Sequence, residues 1–200
     1  MKVKKSHVRT ARSGNRIPLP RPRSVVSQIK KETNELKRKL LLVGYLAEAL
    51  ARKEQTLFLV GGQAVEAYTA GQFTTGDIDV TTTDKALTES ILGRLGFSKE
   101  GMIWLNAKLG MAVHIVGTYP SRSEKATTLD VGPYQVRIMG IEDLIVNRLV
   151  AAKEWKSARD GEQATVLLKV FEGSIDPEYL RRRAKEESVE DLLSKSPAAP

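Results

Sequence analysis

With 200 residues, 41% of them hydrophobic, the chain suits one domain of ordinary size or one domain with appendages. No apolar run approaches the roughly 20 residues that cross a bilayer, and no hydrophobic stretch follows the basic N-terminus as a secretory signal requires. Cysteine is absent, which excludes disulfides, thiolate nucleophiles and Cys-ligated zinc and fits a reducing cytoplasm.

Only His7 and His114 occur, so a histidine-rich centre is excluded and a bound metal would be a hard cation on oxygen ligands. The net charge of +8 is concentrated at one end: residues 1–23 hold eight basic side chains and no acid, leaving 24 basic against 24 acidic residues in the remainder. The body is therefore neutral. A basic tail of this kind, with Pro18, Pro20 and Pro22, reads as an extended or disordered arm for RNA or an acidic partner protein, as a solubilising leader, or as a segment packed on a subunit.

A helical segment covers 24–54, with Ser24 or Ser27 as N-cap and an apolar stripe through Val25, Ile29, Leu36, Leu40, Val43, Leu46 and Leu50. Gly44 marks a break, which makes this one long helix or two. A core follows over 55–140. Its first strand, Thr56–Val60, runs into Gly61-Gly62 and a helix over Gln63–Ala70; a second strand, Asp77–Thr82, precedes a helix over Lys85–Leu95. Further strands are expected at Met102–Leu105, Met111–Val116, Thr127–Val131 and Tyr134–Ile138, the last two joined by a hairpin at Gly132-Pro133. Helices at Ile141–Trp155, Asp160–Phe171, Pro177–Ala184 and Val189–Leu193 make a C-terminal region over 141–195. Helices on either side of a block of strands imply an α/β (α+β) fold with a mixed sheet.

The chemistry gathers at two places. Gly61-Gly62, between a strand and a helix, lets backbone N–H groups at the helix start face a phosphate. Fifteen residues later, Asp77 and Asp79 alternate with Ile78 and Val80, so both carboxylates leave the strand on one face. Two such carboxylates repel unless a cation lies between them, and Mg²⁺ suits a few carboxylates plus phosphate oxygens. Trp104 and Trp155 read as packing, and Gln63 and Glu66 receive no role. Thr74, Thr75 and Gly76 are small enough to admit a substrate.

The stretch VGGQAVEAYTAGQFTTGDIDV resembles the signature of the nucleotidyltransferase (polymerase-beta-like) superfamily, a glycine turn opening a helix followed by Asp-x-Asp on the next strand. The run GIEDLIVNRLVAAKEWKSARDGEQATVLL resembles the C-terminal helices of small prokaryotic members, including those of toxin–antitoxin loci. The resemblance implies a nucleotidyltransferase-type mixed sheet flanked by helices. It implies that Gly61 and Gly62 hold a nucleoside triphosphate and that Asp77 and Asp79 bind Mg²⁺ or Mn²⁺. It also implies that Arg148, Arg159 and Asp160 line the nucleotide site, with Gln163 where an acid is commoner. The place of the third metal-binding acid is taken by His114, with Asp130 on the next strand as the alternative. The implied activity is transfer of a nucleoside monophosphate to an RNA (such as tRNA) or protein acceptor. The departure at His114 implies instead a degenerate, regulatory or toxin–antitoxin component without that activity.

Overall fold

The computed structural model describes residues 18–118 and 125–195. Six of the eight basic residues of the N-terminal tail, and its conformation, lie outside them. Residues 18–23, expected in the tail, belong instead to the body: Leu19 packs on the core, and Pro22 opens the first helix, α1 (Pro22–Lys31), where its missing N–H is no loss. The cap position is Arg21 rather than Ser24 or Ser27.

The N-terminal helical segment is two helices. Its break falls at 32–34, where Asn34 accepts a hydrogen bond from the Lys37 backbone N–H and starts α2 (Glu35–Ala51). Gly44 lies inside α2 and breaks nothing. A Cβ there would stand 2.5 Å from the Tyr134 Cβ, so glycine at this position lets the helix lie against the sheet.

The core strands and helices then alternate as β1 (Leu57–Leu59), α3 (Gly61–Tyr68), β2 (Asp77–Thr82) and α4 (Lys85–Arg94). They are followed by β3 (Ser98–Glu100), β4 (Ile103–Asn106), β5 (Met111–Thr118), β6 (Ala126–Val131) and β7 (Tyr134–Met139). The described strands form one seven-stranded mixed sheet in the order β3-β4-β5-β2-β1-β7-β6. The pairs β2–β5 and β1–β7 are parallel and the others antiparallel. β3 escaped the sequence reading because all three of its residues are exposed at the sheet edge, so no apolar alternation marks it.

Four α-helices follow among the described residues: α5 (Ile141–Glu154), α6 (Ala158–Phe171), α7 (Pro177–Glu186) and α8 (Glu190–Lys195). Strand register puts Tyr134, Leu59, Val80 and Ile78 on one face, which α2 covers; Asp77 and Asp79 leave on the other. Helix α5 is locked to α7 by the buried Asp143, whose carboxylate accepts from Arg183 Nε at 2.8 Å and from the Tyr179 hydroxyl and the Lys125 backbone N–H at 2.7 Å each. Trp155, expected in packing, is 76% exposed at the end of α5. Among the described residues no helix is long and apolar enough to cross a membrane.

The Gly44 contact gives a direct test. Alanine has the higher helix propensity by about 1 kcal/mol, yet its methyl would collide with Tyr134. Overpacking of this kind costs about 1–3 kcal/mol, so Gly44→Ala should lower the denaturant midpoint rather than raise it.

Candidate active site

Alternation along β2 leaves Ile78 and Val80 at 1% and 0% exposure and presents Asp77 and Asp79 half-buried on the opposite face. The parallel neighbour β5 sets His114 level with Asp79 and Ala112 level with Asp77. A carboxylate oxygen from each aspartate and a ring nitrogen of His114 therefore lie within 4.8 Å of one another, with His114 Nδ1 3.5 Å from Asp79 Oδ1. Asp130, the alternative third acid, is not part of this group. It sits on the edge strand β6, three strands from β2, exposed and accepting from Gln135 Nε2 at 3.1 Å.

The glycine turn meets the same carboxylate. The Val60 backbone N–H donates to the Asp79 carbonyl at 3.0 Å, and the chain then turns through Gly61 at φ +62°. A Cβ on Gly61 would stand 2.5 Å from Asp79 Oδ2, so both conformation and space demand glycine. A Cβ on Gly62 would come within 3.2 Å of Thr75 Oγ1. The start of α3, whose first-turn N–H groups have no partner within the helix, opens at this turn.

Burial, and next the charge of Asp77, push the Asp79 carboxyl above its ordinary pKa. His114, Arg148 and a hydrogen bond from the Gly62 backbone N–H pull the other way without prevailing. Negative charge at this point is thus undercompensated by the protein itself. Two carboxylates and one imidazole in a shared space suit a divalent cation, with the imidazole favouring Mn²⁺ over Mg²⁺.

Arg148 of α5 lies close enough to act on Asp79, and its Nη1 pairs with Asp160 Oδ1 at 2.8 Å, both side chains largely buried. Burial lowers the Arg148 pKa, with Asp160 and Asp79 opposing. Arg148 Nε is buried and has no hydrogen-bond partner among the described residues; nor has the Gln163 Oε1 one turn beyond Asp160. Arg159 is exposed and donates to the Thr74 carbonyl, on the loop leading into β2.

Sequence reasoning missed four residues beside this site: Lys39, Gln63, Glu66 and the backbone of Thr75. The readable signal was Lys39 itself, three residues after Leu36 and four before Val43, a charge set on the apolar stripe of a helix. Such a charge needs a buried partner.

No protein-family model and no curated protein matches the chain by sequence. Solved structures do match its fold. An antigenic nucleotidyltransferase-like protein from Paracoccidioides brasiliensis superposes with a TM-score of 0.54 at 17% identity, over 84% of this chain and 94% of that one. The antibiotic-resistance factor ANT(2'')-Ia superposes with a TM-score of 0.51 at 16% identity, over 84% of this chain and 95% of that one.

The charge at Asp79 makes a prediction with a definite sign. A carboxyl whose pKa is raised on folding destabilises the fold when ionised, a penalty present at neutral pH and gone below the ordinary carboxyl range of about 4. Metal-free Asp79→Asn should therefore melt above the unsubstituted protein at pH 7, with the gap closing as pH falls. A lower melting point at pH 7 contradicts this account of the site. The matched structures are dissimilar in sequence and alike in architecture: this chain has the nucleotidyltransferase-like fold.

Proposed function

We propose that the protein is a metal-dependent nucleotidyltransferase that moves a nucleoside monophosphate from a nucleoside triphosphate to an RNA or protein hydroxyl. One observation carries the reading: the Asp77–Asp79–His114 group lies directly against the positive-φ glycine turn that opens a helix. A cation group and a phosphate-binding turn are the two parts that nucleotidyl transfer needs side by side.

Asp77 and Asp79 would hold the cation, with His114 as the third donor. A bound Mg²⁺ or Mn²⁺ would neutralise phosphate charge and acidify the acceptor hydroxyl. Gly61, Gly62 and the N–H groups at the start of α3 would receive the β- and γ-phosphates. Arg148, kept cationic by Asp160 and Asp79 against its burial, would add fixed positive charge at the triphosphate. Arg159 and Asp160 would line the nucleotide from α6. The acceptor oxygen then bonds to the α-phosphorus, the bond to the β-phosphate's bridging oxygen breaks, pyrophosphate leaves and the hydroxyl proton passes to solvent. With basic and acidic residues balanced at 24 each over residues 24–200, the basic N-terminal segment is the natural contact for an RNA acceptor, and a cytoplasmic setting goes with such substrates.

The second reading is a nucleotide-binding or toxin–antitoxin component without transferase activity. It draws on His114, an imidazole where the resemblance implies an acid.

Incubation with each labelled nucleoside triphosphate, Mn²⁺ or Mg²⁺, and either total tRNA or cellular protein separates the two. The proposed activity gives a labelled acceptor, more strongly with Mn²⁺, and Asp77→Asn reduces labelling at least about 100-fold. Metal-dependent triphosphate binding without a labelled product selects the second reading. For the acceptor, removal of residues 1–17 should flatten the salt dependence of RNA binding, because six cations leave with them. An unchanged slope assigns that segment no part in RNA contact.

A further inference from the structure

We infer that Lys39 and Glu66 are positioning residues for Asp77, an inference that rests on the metal-site reading above. Both are buried, at 4% and 2% exposure, and they pair at 3.1 Å between Nζ and Oε2. Their shared target is one residue. Lys39 Nζ donates to the Thr75 carbonyl at 2.6 Å, and Glu66 Oε2 accepts from the Thr75 backbone N–H at 3.3 Å. The same carboxylate oxygen accepts from Gln63 Nε2 at 3.0 Å, which ties it to the first turns of α3. Both backbone polar groups of Thr75 are thus bonded to one buried ion pair drawn from two helices.

Thr75 stands between the two halves of the site. Its hydroxyl reaches Asp77 Oδ1 at 3.4 Å and abuts Gly62 on the other side. The preceding carbonyl, on Thr74, is bonded to Arg159 from α6. Fixing Thr75 therefore fixes the spacing between the glycine turn and the first aspartate. A buried ion pair seldom adds stability over a neutral pair of similar volume. Its value here is geometric: groups that orient a metal ligand without touching the metal commonly change affinity 10- to 100-fold.

The test uses Mn²⁺ alone, titrated by electron paramagnetic resonance, beside thermal melting of the full-length protein. Lys39→Met combined with Glu66→Gln removes both charges together, leaves no unpaired buried ion, and keeps an amide oxygen for Gln63 and the Thr75 N–H. The double variant should melt within a few degrees of the unsubstituted protein and bind Mn²⁺ about tenfold or more weakly. Equal affinity overturns the inference. Thr75→Val and Thr75→Ser supply an independent arm should the double variant not fold. Loss of affinity in the valine variant and its retention in the serine variant supports the positioning chain, and equal affinity in both overturns it. Absence of Mn²⁺ binding by the unsubstituted protein is a different outcome, since it removes the metal site itself and this inference with it.

Discussion

Two carboxylates forced onto the same side of a strand are the constraint from which the rest of this molecule follows. Ile78 and Val80 must face the core, so the backbone of β2 gives Asp77 and Asp79 no choice of side. Asp79 cannot swing away, because the Gly61 backbone stands against its carboxylate and His114 flanks it across the parallel register. Such repulsion is relaxed by positive charge, and His114, Arg148 and the Gly62 backbone N–H all act on Asp79 in that direction.

Holding such a site open requires rigidity in the elements around it, and two buried polar clusters provide it. The Lys39–Glu66 pair joins α2 to α3 and grips the loop that feeds β2. Asp143, five residues before Arg148 on α5, is held by Arg183 and Tyr179 of α7. Burial opposes the charge on Arg183, but hydrogen bonds and charges from Asp143 and Glu186 outweigh it and raise its pKa. The helix that carries Arg148 is thereby anchored by contacts of Asp143 that lie apart from the Asp77–Asp79–His114 group.

The sequence made much of this legible because the relevant signals are local. A glycine pair after an apolar run, and alternating acids and aliphatics, declare both the turn and the shared face. Strand β2 ran as expected over Asp77–Thr82. What stayed hidden was non-local. Gly44 looked like a helix break, since only the tertiary structure reveals that Tyr134 occupies the space where a side chain would go. Asp130 stood as the alternative to His114 until strand order separated it from the pair by three strands. Lys39 and Glu66 lie 27 residues apart in unrelated patterns, and nothing short of the fold brings them together.

The central claim is that Asp77, Asp79 and His114 act as one cation site facing the glycine turn. Crystals grown with Mn²⁺ and a non-hydrolysable triphosphate, with diffraction recorded at the manganese absorption edge, address it directly. The account predicts an anomalous peak bonded to an oxygen of each aspartate, with the terminal phosphates against the Gly61-Gly62 backbone. A manganese peak held elsewhere, or triphosphate density remote from that turn, contradicts it.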